Sequence, residues 1–281
     1  MNNETAFITG SSSGIGLHFA HEFARHGHPL VLVAPVRSEL ERVANDIESK
    51  HGVSAYVVAK DLEKENAAQE IFNELNGHGM RIDILVNNAG HGYRGKSWEI
   101  PIEQDISMVR LNIEAVLRLT KCFLPAMVQR RSGRILNVGS IAGFEPGPLL
   151  NVYHATKAFV VSWSEALAIE LKDSGVTVTA LCPGPTDTDF LPKADLTDTR
   201  AFQKASVSAP QEVADAGYEG LMKGELFVVP GAMNKAVVAA RRLLSEGAQA
   251  SLNQAFYKKV PSEDQKRERG DFEEAAVASR H

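Results

Sequence analysis

The chain has 281 residues, 44% of them hydrophobic and 23% charged, with a net charge of −5 and a pI near 6.0. That supplies a sizeable core for one large α/β domain or two small ones, and the acidic balance argues against a nucleic-acid binder that works by neutralising phosphates. No apolar run approaches the ~20 residues of a membrane span and no signal-peptide pattern opens the chain, so no membrane span and a cytoplasmic location are expected.

In chain order, strand-like runs fall at AFIT, LVLVA, SAYVVA, IDILVN, RILNV, VTVTALC and LFVV. Between them lie helical patterns, among them residues 38–50, 64–76, 103–130 and 151–173. Alternating β and α with near-continuous apolar strands predicts a parallel sheet of about seven strands, doubly wound with helices on both faces. The first strand runs into Thr9, Gly10, Gly14 and Gly16 and then an amphipathic helix, a G-x3-G-x-G turn carrying Ser11, Ser12 and Ser13. Glycines permit close backbone approach, so a phosphate could meet N–H groups at that helix start; a plain glycine turn is the alternative. No linker or repeat divides the chain, and one domain over residues 1–262 is expected. Residues 186–208 break the alternation just after Pro183-Gly184-Pro185, either as a substrate lid or as a surface excursion. From about Glu263 the chain is highly charged, and residues 263–281 read as a flexible tail. Cys122 and Cys182 have no metal or redox spacing and read as buried free thiols. His18, His21, His26 and His28 read as a solvated helix face and its end; no metal site is expected.

Two Tyr-x3-Lys pairs occur, Tyr56/Lys60 and Tyr153/Lys157. In the strand-like VSAYVVAK the first pair would stand roughly 13 Å apart, which favours a core tyrosine and a solvated lysine. On a helix from about residue 150 the second pair lies one turn apart, roughly 6 Å along the axis. There the ammonium can lower the phenol's pKa, and Ser140, just past RILNV, can aim its hydroxyl at the same point. An acid/base group, a group that tunes it and a hydrogen-bond donor are what carbonyl reduction needs.

Together these residues resemble the short-chain dehydrogenase/reductase family, over roughly residues 5–230. TGSSSGIG (9–16) is similar to its glycine motif, NNAG (87–90) to its motif after the fourth strand, and PGPTDT (183–188) to its proline-glycine turn. The resemblance implies a Rossmann-type fold and a catalytic tetrad of Asn112, Ser140, Tyr153 and Lys157. Tyr153 would donate a proton to the carbonyl oxygen, or remove one from the alcohol. Lys157 would bind the nicotinamide ribose and stabilise the tyrosinate, and Ser140 would hydrogen-bond the substrate oxygen. Asn112 would hold a water on a proton path through Lys157; on its residues alone it reads as a satisfied core amide. The implied cofactor wall starts with Gly10, Ser12, Ser13, Gly14, Ile15 and Gly16. It continues through Asp61, Leu62, Asn88, Ala89 and Gly90, with Asn87 beside them, and reaches Tyr153, Lys157, Pro183, Gly184, Thr186 and Thr188. Asp61 also fits a helix N-cap.

After the second strand no acid stands at Pro35 to bind a ribose 2′-hydroxyl, and Arg37 is close enough to receive a 2′-phosphate, although the family's arginines at the positions of Pro35 and Val36 are missing. NADP(H) is favoured and NAD(H) stays open. The substrate wall is expected from Ser140, Ile141, Ala142, Phe144, Leu149, Leu150, Tyr93, Pro185 and Phe190, beside His91 and Gly92. With Glu145 its one charge, it suits uncharged hydrophobic ketones, aldehydes and the matching alcohols. The alternatives are a 3-oxoacyl-carrier reductase, which would want a basic patch at the mouth, and a non-catalytic dinucleotide-binding regulator, which would have a degraded tetrad. The family resemblance implies a homodimer or homotetramer.

Overall fold

The computed structural model describes residues 4–240 and 243–272. Its strands are β1 (Ala6–Thr9), β2 (Leu30–Ala34), β3 (Ala55–Ala59), β4 (Ile84–Asn87), β5 (Gly133–Val138), β6 (Val176–Leu181) and β7 (Phe227–Val228). All neighbours pair in parallel, in the order β3-β2-β1-β4-β5-β6-β7. Parallel strands need crossovers, and these are helical: α1 (Gly14–Arg25), α2 (Arg37–His51), α3 (Ala67–Gly77), α4 (Ile102–Val109), α5 (Ala115–Gln129) and α6 (Asn151–Glu170). Every residue of β1, β2 and β4 is buried, as strands covered on both faces must be.

Two cores follow from this layering. On one face Phe19, Phe23, Leu40 and Ile47 of α1 and α2 pack on Ile8 and Leu32. On the other, Ile71, Leu75, Phe123 and Leu167 of α3, α5 and α6 pack on Phe7 and Leu85. β1 pairs with both β2 and β4, so the connections leave it in opposite directions and open a crevice at the strands' carboxyl ends.

The remaining helices are α7 (Phe190–Lys193), α8 (Arg200–Gln203), α9 (Pro210–Lys223), α10 (Ala232–Ala240) and α11 (Glu246–Phe256). α7 and α8 lie inside the segment read as a lid or a surface excursion. That segment has its own core of Leu191, Leu196, Phe202 and Val207, closed by Leu150 and Tyr257.

Residues 263–272 of the charged tail make hydrogen bonds to the 186–208 segment. Gln203 Oε1 accepts from the N–H groups of Lys266 and Arg267, and Asp187 Oδ2 from those of Gly270 and Phe272. The Phe272 ring packs on Phe202 at 6.3 Å. Both acceptors belong to the 186–208 segment. Residues 273–281 lie outside the described residues.

The Tyr56/Lys60 pair is structural. The Tyr56 hydroxyl donates to Glu74 Oε1 at 3.0 Å and Lys60 Nζ to Glu70 Oε2 at 2.9 Å, both on α3. Cys182 is a buried thiol and Cys122 a half-buried one.

Candidate active site

One cavity of about 730 Å³ opens at the carboxyl ends of the strands. At one end is the turn between β1 and α1, where Gly10 and Gly14 take φ of +66° and +54°, a region side chains avoid. Thr9 ties this turn to β4: its Oγ1 accepts from the N–H groups of Asn88 and Ala89, both at 2.9 Å. Asn88 Nδ2 returns a bond to Thr9 O at 2.8 Å. Ser13, the N-cap of α1, makes no side-chain hydrogen bond to the first turn. The N–H groups there therefore remain for an anionic ligand, with the helix dipole behind them.

The other end is built by β5 and α6. Ser140 caps a 3-10 turn, Ile141–Phe144; its Oγ accepts from Ala142 N at 3.1 Å and donates weakly to Pro183 O at 3.3 Å. Tyr153 and Lys157 share a face of α6, with Lys157 Nζ 5.7 Å from the phenol ring centroid. Burial pushes the Tyr153 phenol up to about 12, with the Ser140 hydroxyl pulling against it. That direction is opposite to the sequence expectation, because losing solvent outweighs the Ser140 hydrogen bond. Burial also lowers Lys157 to about 8, and its ammonium donates to Val138 O at 2.8 Å.

Asn112 sits in a π-helical turn, Arg110–Glu114, between α4 and α5. Such one-residue expansions turn a side chain out of helical register. Its Oδ1 accepts from His91 N at 3.1 Å, and its Nδ2 donates to His91 O at 2.9 Å and Thr156 Oγ1 at 3.1 Å. A Cβ on Gly90 would stand 3.0 Å from Asn112 Oδ1 and 3.5 Å from Lys157 Nζ, so the missing side chain keeps that part of the wall open.

A family model for short chain dehydrogenase matches residues 4–199. The chain belongs to this family. It is 37% identical to the human very-long-chain 3-oxoacyl-CoA reductase over 184 residues, 64% of this chain and 58% of that protein. An Aspergillus fumigatus protein of the same name is 33% identical over 265 residues, 86% of this chain and 74% of its own length. Among solved structures, a short-chain dehydrogenase from Sphingobium yanoikuyae in complex with NADPH has a TM-score of 0.77 at 35% identity, covering 89% of this chain and 95% of its own. The bulky-bulky ketone specific alcohol dehydrogenase from Comamonas testosteroni has 0.73 at 32%, covering 86% and 93%.

In this short-chain dehydrogenase the cavity wall brings together Gly10, Ser12, Ser13, Gly14 and Ile15 with Asp61, Leu62, Asn88, Ala89 and Gly90. It adds Pro183, Gly184, Thr186 and Thr188, and reaches Ser140, Tyr153 and Lys157. Of the residues expected for catalysis and cofactor binding, Gly16, Arg37 and Asn112 stand off this wall. Gly16 is buried behind the turn, where a Cβ would meet Gly10 O at 2.1 Å, so it serves packing. Arg37 points to solvent, 61% exposed, with Glu41 at 3.8 Å. Asn112 lies behind His91, to whose backbone it is bonded. Asp61 Oδ1 accepts from Glu63 N at 3.0 Å, capping a turn before α3 instead of the helix itself.

Tyr93, Ile141, Ala142, Leu150, Pro185 and Phe190 line the substrate end. Phe144 and Leu149 do not. Phe144 packs on Phe227 at 6.3 Å, and Leu149, at φ +71°, turns into the core of the 186–208 segment. Their places go to Leu191, Leu196, Phe256 and Tyr257, brought in by α7 and α11. Glu145 is joined by Asp189 and Lys193, and Glu39 and Lys60 stand at the cofactor end. The aromatic pair Phe256-Tyr257, ahead of a charged stretch, was the one sequence signal for the α11 contribution.

Proposed function

We propose that this chain is a nicotinamide-dinucleotide-dependent oxidoreductase that reduces hydrophobic ketones and aldehydes to alcohols, and runs the reverse, with Tyr153 as acid/base. The observation that carries this reading is the phenol itself. Tyr153 is half-buried, its phenol kept protonated by desolvation, beside Ser140 and Lys157 in a cavity walled by Tyr93, Leu150, Phe190, Leu191 and Phe256.

The dinucleotide fits the residues present. The uncapped start of α1 would hold its phosphates, and the two N–H bonds that Lys157 does not give to Val138 would hold ribose hydroxyls. When bound, the cofactor supplies the hydride. The rest belongs to the chain. Ser140 Oγ, whose bond to Pro183 O is long, turns to the substrate oxygen. Tyr153 delivers its proton to that oxygen as charge develops there. Lys157, charged below about pH 8, stabilises the tyrosinate left behind. The lid, residues 186–208, closes the apolar end against water. Residues 1–262 would form the single working domain.

NADP(H) remains the preferred cofactor in this proposal, and NAD(H) the second. Pro35 places no acid at the end of β2, and the exposed Arg37 has a long pair to Glu41. The Sphingobium structure contains NADPH, whereas a 3-ketoacyl-(acyl-carrier-protein) reductase from Brucella melitensis, 30% identical, is complexed with NADH.

A second reading, reduction of 3-oxoacyl thioesters, draws support from the names of the human and Aspergillus relatives and from Lys193 at the lid wall. A dimer or tetramer would use the exposed Ile102, Ile106, Val109 and Ile169 on α4 and α6. Among the described residues no helix is long and apolar enough to cross a membrane.

Tyr153→Phe, assayed on an aryl ketone and on a 3-oxoacyl thioester, tests the assignment. Loss of reduction supports it, undiminished turnover defeats it, and the favoured substrate separates the two readings.

A further inference from the structure

We infer that His91, with Glu63 and Ser107, releases the proton that alcohol oxidation leaves at the Lys157 end of the site. This rests on the reading of Tyr153 as the acid/base. His91 lines the cavity directly after Gly90, and Asn112 grips both its N–H and its C=O. Its ring is therefore placed by the π-helical turn.

The ring's tautomer follows from its neighbours. Nε2 lies 3.0 Å from Ser107 Oγ and 3.3 Å from Glu63 Oε1. Ser107 Oγ gives its one proton to Glu63 Oε2 at 2.7 Å, so it turns only lone pairs to the ring. The carboxylate also has only lone pairs. Nε2 must therefore carry the imidazole proton, and Nδ1 holds a lone pair. That Nδ1 is buried, and no hydrogen-bonding atom among the described residues meets it. An unpaired buried acceptor is costly and asks for an explanation; a proton acceptor in use supplies one. The charged groups facing the ring are Glu63, from the β3–α3 connection, and Lys157, from α6, while the Tyr93 ring packs edge-on at 5.1 Å. Burial, with a smaller push from Lys157, holds the imidazole below its usual pKa against the pull of Glu63, so it rests neutral.

In oxidation the Tyr153 phenol first sheds its proton toward the Lys157 side, and the phenolate then takes the alcohol's hydroxyl proton as the hydride leaves with the cofactor. The shed proton has to reach water. Nδ1 takes up a proton arriving from the Lys157 side, through the space that Gly90 keeps open, and the Nε2–H bond breaks toward Glu63. Glu63, 32% exposed, passes that proton to solvent, and exchange with water restores the resting tautomer. His91 acts through Lys157, so it is a positioning and relay group and not a catalytic residue.

The test is alcohol oxidation by the full chain with His91→Phe, which keeps the ring packing, with His91→Ala, and with Glu63→Gln. Expected for His91→Phe is a roughly tenfold fall in kcat with KM nearly unchanged, for His91→Ala, which vacates the ring's space, a similar fall restored by added imidazole, and for Glu63→Gln a smaller fall. Unchanged kcat in all three variants, or a loss in His91→Ala that imidazole never restores, overturns the inference. Should His91→Phe not fold, the 15N spectrum of the native imidazole decides, with Nε2 protonated expected and Nδ1 protonated overturning. Tyr153→Phe in the same assay keeps the two proposals apart. Turnover by that variant would fault the proposed function, whereas its inactivity beside an unimpaired His91→Phe would fault the relay alone.

Discussion

The Tyr257 hydroxyl donates to His154 Nε2 at 2.8 Å, which fastens the end of α11 to the residue next to Tyr153. The direction is set by the ring's other nitrogen: Nδ1 lies 2.8 Å from Glu145 O, a carbonyl that can only accept, so Nε2 must be the acceptor. Both side chains are buried. Tyr257→Phe removes one partner and leaves Nε2 unpaired, at an expected cost of about 1–3 kcal/mol in urea unfolding. Because Tyr257 also lines the cavity, KM for a bulky ketone should rise more than kcat falls. An unchanged unfolding midpoint with unchanged KM would show that the bond does not hold the wall.

The pH profile should be governed by Lys157 on its alkaline side. Burial lowers its pKa to about 8 and raises that of Tyr153 to about 12, so between these values the phenol keeps its proton while the ammonium is lost. Ketone-reduction kcat/KM should therefore fall as pH rises through about 8, and steady-state rates from pH 6 to 10 check it. Stability runs the other way. The folded lysine binds fewer protons than the unfolded one between about 8 and 10.5, so its contribution improves as pH rises across that window and is least favourable below it. Lys157→Met should abolish turnover without lowering the unfolding midpoint at pH 7, since it removes a buried charge.

The sheet was readable because most strands are largely apolar runs, and the glycine turn because side chains disfavour that backbone. Tyr153 separated from Tyr56 for a physical reason, one pair lying on a helix and the other on a strand whose acid partners sit on α3. Three things were hidden. Asn112 depends on a π-helical turn that no local pattern announces. Phe144 and Leu149 have pocket-like side chains, but the 3-10 turn and a left-handed φ aim them elsewhere. Tyr257 and Phe256 reach the cavity by a return of the chain from far along the sequence, which periodicity cannot register.

Gln203 joins the 186–208 segment, proposed above as a lid, to residues 266 and 267. Its Oε1 accepts from two backbone N–H groups of residues 266 and 267, and its Nε2 donates to Thr197 O at 2.9 Å and Arg267 O at 3.0 Å. Gln203→Ala should strand these groups and loosen α8, raising ketone KM by roughly tenfold if about 1.4 kcal/mol of closure is lost. Hydrogen exchange should speed up over residues 197–205 and 262–272 and stay unchanged in β1 and β4. Equal acceleration everywhere would mean global destabilisation instead of a released lid.

The proposed NADP(H) preference is assigned first to Arg37. The guanidinium starts α2, is 61% exposed and meets Glu41 only at 3.8 Å, an exposed pair of small worth that a phosphate could displace. The 2′-phosphate of NADPH would gain a charge-assisted bond there, and NADH offers no group for it. Arg37→Ala should therefore raise KM for NADPH by about 10- to 100-fold, the equivalent of about 1.5–3 kcal/mol, and leave KM for NADH alone. Glu41→Ala, which frees the guanidinium, should shift the balance further toward NADPH. Should Arg37→Ala instead weaken both cofactors equally, the arginine supports α2 and the preference rests on Lys60, which stands on the cavity wall 2.9 Å from Glu70.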